Sequence, residues 1–186
     1  MSTTTTPTDP ALSLMVAAFA ETATIVESLS ATDLDASTPC PGWDVAHVVE
    51  HIVGALEMFA GAVGVEPPTS APTDPTQRMR PLTEAVAAGW DAPGRLDRTV
   101  ELPFGTFPAP LAMRINLLET FVHGLDIACA VGREGLVDPA LCDEVRETAQ
   151  AAGFDAFRQP GMFGPAVRPS DGSPLAALMA FVGRDL

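Results

Sequence analysis

Apolar side chains recur every three or four residues over most of this chain, which is the spacing of amphipathic helices. The pattern predicts six helices, at about 10–29, 45–62, 82–90, 109–131, 138–152 and 174–182. Asp9, Asp44 and Gly132 stand where helix caps are expected. The strand signal is weak, and only residues 99–105 predict extended chain, as a small hairpin or an irregular strand. The sequence therefore predicts an all-α fold, a helical bundle.

Prolines are concentrated in segments that are not predicted to be helical. Residues 65–81 hold five prolines, a density that predicts a long proline-rich loop with no regular element, serving as a lid or a mobile excursion. Residues 1–8 form a Thr- and Pro-containing tract ahead of any periodic signal, and we expect them to be disordered. The remaining residues, 9–186, are expected to form one domain.

The net charge of the chain argues against some classes of binding partner. The chain carries 24 acidic and 10 basic residues, for a formal net charge of −14. Such a surface repels phosphate backbones and anionic lipid, so we expect neither nucleic acid nor membrane as a partner. The first residues show no basic start and no apolar core of a signal peptide, and no apolar run reaches the roughly 18 residues of a spanning helix. These features predict a cytoplasmic protein.

Cysteine and tryptophan add little to the functional picture. Cys40, Cys129 and Cys142 are an odd number with no C-x-x-C spacing. They predict small buried or half-buried side chains rather than a disulfide framework or a thiolate zinc site. Trp43 and Trp90 are expected to anchor the core rather than to serve as platforms for a substrate.

The fourth predicted helix carries the candidate chemistry. It is apolar nearly all round, yet Asn116, Glu119, His123 and Asp126 lie on it within an arc of roughly 80°. A buried stripe with two carboxylates is costly unless something compensates the charge, and a divalent cation would do so. Glu119 and His123 are four residues apart, so they project from adjacent turns and can chelate one ion.

A third ligand has to come from another helix, and the chain has only two further histidines, His47 and His51. His51 shares the apolar face of the second helix and is expected to point into the bundle, whereas His47 lies nearer the rim. The predicted metal ligands are therefore His51, Glu119 and His123. Two imidazoles and one carboxylate with an open fourth position are typical of catalytic zinc. We expect Zn²⁺, with Ni²⁺, Co²⁺ and Fe²⁺ as alternatives.

The same residues admit a reading without metal, in which Glu119 and His123 form an ion pair buried with Asp126. In the metal reading, Asn116 and Asp126 would orient a ligand or hold a water, although for Asp126 a solvent contact at the helix end is an equal alternative. None of the ten arginines falls on the stripe, so we expect apolar surroundings for the ion. Arg114 lies on the opposite side of the helix, where it would contact a neighbouring helix or a dimer partner.

Three segments resemble a known family. Thr-Pro-Cys-Pro-Gly-Trp-Asp-Val at 38–45, followed by His51, resembles the opening of the DinB-like, mycothiol-dependent maleylpyruvate isomerase N-terminal domain family. Glu-Thr-Phe-Val-His-Gly-Leu-Asp-Ile-Ala at 119–128 resembles a second motif of that family, with Leu125 where the family usually has Trp. Residues 162–185 resemble the tail of an uncharacterised actinobacterial branch.

The resemblance extends from about residue 12 to the end. It implies a DinB-type four-helix bundle with additional short helices, one divalent metal on His51, Glu119 and His123, and mycothiol as a thiol cofactor. The implied function is a metal- and thiol-dependent transferase or isomerase. The alternatives are a metal-dependent hydrolase and a non-catalytic module that binds a metal or a small molecule. The expected partner is a small-molecule substrate or thiol, and a homodimer is compatible with the sequence. The isomerase itself has a further C-terminal domain that this chain is expected to lack, so its activity is not carried over.

Overall fold

The computed structural model describes residues 9–66, 72–158 and 164–186. The predicted disorder of residues 1–8 and the first part of the tail motif, 162–163, lie outside these ranges. Within them the chain forms six α-helices, two single 3₁₀ turns and one two-stranded sheet. The elements in chain order are α1 (Pro10–Glu27), α2 (Val45–Ala62), α3 (Pro75–Asp91), β1 (Thr99–Leu102), β2 (Gly105–Pro108), α4 (Ala109–Ala130), α5 (Pro139–Ala151) and α6 (Pro174–Phe181).

The first four helices form a bundle, and this confirms the predicted all-α fold. Helix α1 packs against α3 and α4, and α2 packs against the same two helices, so α1 lies diagonally opposite α2. Helix α4 is buried on nearly all sides. Helices α5 and α6 pack on each other beside α4. The contact between α2 and α4 brings together the two helices that carry histidine.

The helix ends follow the predicted caps. The Asp9 carboxylate accepts a hydrogen bond from the backbone N–H of Ala11, and Asp44 accepts one from His47. Such caps satisfy N–H groups that the first helical turn leaves without partners. Beyond the end of α4, Gly132 takes a φ of +67°, a left-handed conformation that favours glycine.

The proline-rich segment is shorter than predicted, because α3 begins at Pro75 and not at Leu82. Two features allow the helix to begin there. Pro75 occupies the first helical turn, where a missing N–H costs nothing, and Asp74 caps it. Pro81 lies within the helix but on its exposed side, where water can reach the backbone groups that its ring leaves unpaired. Residues 67–71 lie outside the described ranges, so the predicted lid is not tested.

The predicted extended segment is a hairpin. Strands β1 and β2 pair antiparallel, with Thr99 opposite Pro108 and Leu102 opposite Gly105, so that two residues form the turn. Val100 and Leu102 point into the core. The hairpin leads directly into the first turn of α4 and contacts that helix.

The C-terminal segment returns to the bundle after α6. The N–H of Val167 donates to the carbonyl of Ala180 at 2.9 Å, and the N–H of Arg184 donates to the carbonyl of Met179 at 2.8 Å. Gly183 has a φ of +84°, and a Cβ there would lie 2.9 Å from the carbonyl oxygen of Pro165. A glycine is therefore required for this turn, which directs Arg184 towards α4.

Two helices, Pro10–Glu27 and Val45–Ala62, are long and apolar enough to cross a membrane by length and composition alone. The core helices of soluble proteins meet the same criterion, so the finding is weak evidence for a membrane span. In this molecule both helices bury much of their apolar surface within the bundle.

Candidate metal centre

The three predicted ligands converge between α2 and α4. His51 Nε2 lies 2.5 Å from Glu119 Oε1, and His123 Nε2 lies 3.4 Å from the same oxygen. One ligand atom from each residue lies within 4.8 Å of the others. The side chains of His51 and Glu119 are 37% and 32% exposed, whereas that of His123 is 9% exposed.

Burial and charge oppose each other at this cluster. Burial alone would raise the pKa of Glu119, but the hydrogen bonds from His123 and His51, with their charges, hold that pKa well below its usual range. Burial alone would lower the pKa of His123, but the hydrogen bonds to Asp126 and Glu119 and the charges of these two carboxylates raise it to about 9. In the absence of metal, His123 is therefore an imidazolium between two carboxylates.

Asp126 holds the second nitrogen of His123. Its Oδ2 lies 2.9 Å from His123 Nδ1, and its side chain is completely buried. The carboxylate is thus not the solvent contact that was one alternative for this residue. An imidazole whose Nδ1–H donates to a carboxylate presents its Nε2 as the ligand atom, as metal-binding histidines commonly do.

Arg184 also binds the Asp126 carboxylate, and this contact was not predicted from the sequence. Its Nε lies 3.1 Å from Asp126 Oδ1 and its Nη2 lies 3.1 Å from Asp126 Oδ2. The prediction that the ion would have apolar surroundings, because no arginine falls on the stripe, is therefore wrong. Arg184 reaches the stripe from the C-terminal turn and not from α4. The only sequence signal was its place in the tail segment that resembles the actinobacterial branch.

Trp43 covers the imidazoles from the turn that precedes α2. Its ring stacks on His123 with the centroids 5.6 Å apart, and its centroid lies 4.7 Å from that of His51. Trp43 is half-buried against the core, so it contacts the candidate site as well as the core that was predicted for it. His47 is exposed and packs on the same indole at 4.4 Å, which agrees with the predicted rim position.

Cys40 also adjoins the cluster. Its sulfur and one ligand atom each of His123 and Asp126 lie within 4.8 Å of one another. Burial raises the pKa of the Cys40 thiol, and the negative charges of Asp126 and Glu119 add to this, against the opposing charge of Arg184. The thiol is half-buried as predicted, but its position beside His123 was missed. The backbone of the 38–43 turn fixes that position, since Trp43 N–H donates to the carbonyl of Cys40.

Two other predicted residues lie apart from the donors. Asn116 Oδ1 accepts a hydrogen bond from Trp90 Nε1 at 3.1 Å, and Asn116 Nδ2 donates to Thr120 at 3.4 Å. Trp90 is buried in the core as predicted. Arg114 contacts a neighbouring helix, one of its two predicted roles, because its Nη2 lies 2.9 Å from the Asp9 carboxylate that caps α1.

A cavity of about 530 Å³ lies elsewhere, between the N-terminal ends of α1 and α4 and the C-terminal end of α5. Asp9, Pro108, Arg114 and Ala152 are among its lining residues, and none of the three donors belongs to the lining. The chemistry-bearing residues and this cavity are therefore separate features of the molecule. The donors are instead reached through the exposed sides of His51 and Glu119.

The donor set suits a divalent ion. Two imidazole nitrogens and one carboxylate oxygen are ligands that zinc and neighbouring transition metals accept. Asp126 already fixes the orientation of one imidazole.

Comparisons with known proteins point to one family. The family model described as the mycothiol maleylpyruvate isomerase N-terminal domain matches residues 15–97. An uncharacterised protein of Mycobacterium tuberculosis, found in two strains, is 30% identical over 167 residues, which cover 87% of this chain and 91% of that protein. No solved structure matches significantly. The family match includes His51, and the longer match to the mycobacterial protein extends beyond it.

Proposed function

Because this chain belongs to the mycothiol maleylpyruvate isomerase N-terminal domain family, we propose that it is a metal- and thiol-dependent transferase or isomerase. His51, Glu119 and His123 hold one divalent ion, with zinc as the expected metal. A small thiol of the mycothiol type is the second component, and the protein acts on a small molecule in the cytoplasm.

One observation carries this proposal. Donors from two different helices meet at one carboxylate oxygen of Glu119, at 2.5 Å from His51 and 3.4 Å from His123. The His123 side chain is only 9% exposed, and a divalent ion bound by all three side chains would compensate the cost of holding these polar groups together in the bundle. The partial exposure of His51 and Glu119 leaves a route by which a thiol and a substrate reach the donors.

Each residue has a defined part in this proposal. Glu119 and His51 provide donors at the exposed side, and His123 provides the buried donor that Asp126 orients. Trp43 excludes water from the face of the His123 ring. A divalent ion held there would favour deprotonation of a nearby thiol, which is the reactive form in group transfer.

Cobalt is the probe for the metal and for the thiol. Co²⁺ is titrated into the metal-free protein in a buffer without thiol, and the visible spectrum reports the number of ligands and the stoichiometry. We expect one ion per chain in the wild type and at least a hundredfold weaker binding after His51→Ala or Glu119→Gln. His47→Ala is the matched control, since His47 lies one turn away on the same helix and is exposed.

Mycothiol is then titrated into the cobalt form of the Cys40→Ser variant, so that the protein contributes no thiol near the ion. We expect a thiolate charge-transfer band that saturates, and a weaker response to a simple thiol such as 2-mercaptoethanol. Cobalt binding without any thiolate band would reject the thiol component and leave the hydrolase or the non-catalytic module. No stoichiometric cobalt binding in the wild type would reject the proposal altogether.

A further inference from the structure

His123 belongs to two groups of potential ligands. One group is His51, Glu119 and His123, and the other is Cys40, His123 and Asp126. The carboxylates of the two groups lie on different sides of the imidazole, because His123 Nε2 faces Glu119 at 3.4 Å while Nδ1 faces Asp126 at 2.9 Å. A neutral imidazole has one in-plane lone pair, so it can bind an ion on one side while the other nitrogen keeps its hydrogen.

The two groups would prefer different ions and would do different chemistry. The first group offers nitrogen and oxygen donors, whereas the second offers a thiolate, which soft ions prefer. A cysteine ligand inside the site would also take a position that an external thiol needs. Nitrogen, carboxylate and sulfur atoms all lie close to the His123 ring. An ion could therefore bind to either group unless another residue favours one of them.

Arg184 is placed to make this choice. Its guanidinium contacts both oxygens of Asp126, at 3.1 Å from Nε to Oδ1 and 3.1 Å from Nη2 to Oδ2. The Arg184 side chain is 12% exposed and that of Asp126 is fully buried, so solvent screens their interaction little. Asp126 is a poor ligand for an ion because the Arg184 guanidinium already neutralises its negative charge. An ion at Asp126 would also be repelled by the positive charge of the guanidinium.

We propose that Arg184 determines which group binds the metal. By holding Asp126, Arg184 commits His123 to ligation through Nε2 together with His51 and Glu119, and it excludes an ion from Cys40, His123 and Asp126. Arg184 is a positioning residue, because it acts through Asp126 and does not touch the ion. This inference rests on the proposed function, since it requires that the protein binds a metal.

The test is the cobalt spectrum in a buffer without thiol, where Cys40 is the thiol nearest to the donors. The wild type should show no thiolate charge-transfer band. Arg184→Ala should gain a band of about one thiolate, with affinity for the original group lowered about 10- to 100-fold. The band should vanish in the Arg184→Ala, Cys40→Ser double variant. Arg184→Lys, which keeps the positive charge, should restore a spectrum without the band.

Two controls separate the choice of ligand group from a general loss of structure. Arg114→Ala removes a different ion pair of α4, the one with Asp9, and should leave the cobalt spectrum unchanged. Cys40→Ser in an otherwise unaltered chain should also leave it unchanged, a result that does not depend on whether Arg184→Ala folds.

Three outcomes would overturn the inference. These are a thiolate band in the wild type, an altered cobalt spectrum in Cys40→Ser, and a folded Arg184→Ala that binds cobalt with the wild-type spectrum. The first two would also contradict the proposed donor set of His51, Glu119 and His123, whereas the third would leave the proposed function intact. Failure of the proposed function is distinct, because the wild type would then bind no cobalt stoichiometrically, and the inference would fall with it.

Discussion

His123 is buried with a carboxylate at each of its ring nitrogens, and this arrangement determines its pKa. Glu119 faces Nε2 and Asp126 faces Nδ1. The spacing on one helix face predicted that Glu119 and His123 meet, whereas for Asp126 a solvent contact at the helix end was an equal alternative. Cys40 and Arg184 could not be found in the same way. Their proximity to His123 depends on how a turn and the C-terminal segment return to the bundle, which no periodicity records.

The raised pKa of His123 makes the stability of the metal-free protein depend on pH. The pKa is about 9 in the folded chain, against about 6.5 in an unfolded one. A raised pKa contributes stability that is fully present below the unfolded value and is lost as pH rises through the folded value. We therefore expect the free energy of unfolding to fall by about 1–3 kcal/mol between pH 6.5 and 9. Urea unfolding of chelator-treated protein at several pH values measures it.

Glu119 limits the stability of the metal-free protein at low pH. Its folded pKa is lowered, so its contribution is present above the unfolded pKa of about 4.3 and is lost as pH falls below that value. The metal-free protein should thus be most stable between about pH 5 and 6.5. His47→Ala is the control, and its pH profile should match that of the wild type. A flat profile from pH 6.5 to 9 would contradict a charged His123 between two carboxylates.

Helices α1 and α4 are in close contact where Gly124 faces Thr22. A Cβ at Gly124 would lie 2.6 Å from the Thr22 hydroxyl oxygen and 3.2 Å from its Cβ, which is closer than packed atoms allow. Gly124 is adjacent to His123, so this crossing also affects how deeply the His123 side chain is buried. The glycine was visible in the sequence, but its partner on α1 was not, because the rotation of each helix about its own axis is decided by packing.

Gly124→Ala should therefore destabilise the protein by about 1–3 kcal/mol, since overpacking outweighs the better helix propensity of alanine. The matched control is Gly54→Ala in α2, where no atom lies within 4 Å of the added Cβ. That change should stabilise the protein by about 0.5–1 kcal/mol. Urea unfolding compares both variants with the wild type. Equal effects of the two substitutions would show that α1 and α4 are not in such close contact.

Most helices were predictable because their caps and their apolar faces agree. Asp9, Asp44 and Asp138 each accept a hydrogen bond from the first turn of the helix that follows. Helix α3 was predicted to begin seven residues late because the prediction considered the number of prolines and not their positions. A proline in the first turn favours a helix, and one on an exposed face is tolerated.

The bundle as a whole brings the candidate site together from distant parts of the chain. Helices α2 and α4 contribute the donors, the turn before α2 contributes Trp43 and Cys40, and the C-terminal turn contributes Arg184. The formal net charge of −14 creates a field that attracts cations to such a site and opposes anionic partners. The fold class and the proximity of His51, Glu119 and His123 were predictable from the sequence, whereas the positions of Cys40 and Arg184 required the tertiary structure.

X-ray absorption at the zinc edge of the zinc-loaded protein, prepared without any thiol in the buffer, tests the central claim most directly, because it counts ligand atoms by element and distance. The account predicts one zinc per chain with only nitrogen and oxygen neighbours at about 2.0–2.2 Å, two of them imidazoles. Glu119→Gln, which removes the carboxylate but keeps its shape, should lose the zinc. A sulfur neighbour at about 2.3 Å in the wild type, or zinc content unchanged by Glu119→Gln, would contradict a site built on His51, Glu119 and His123.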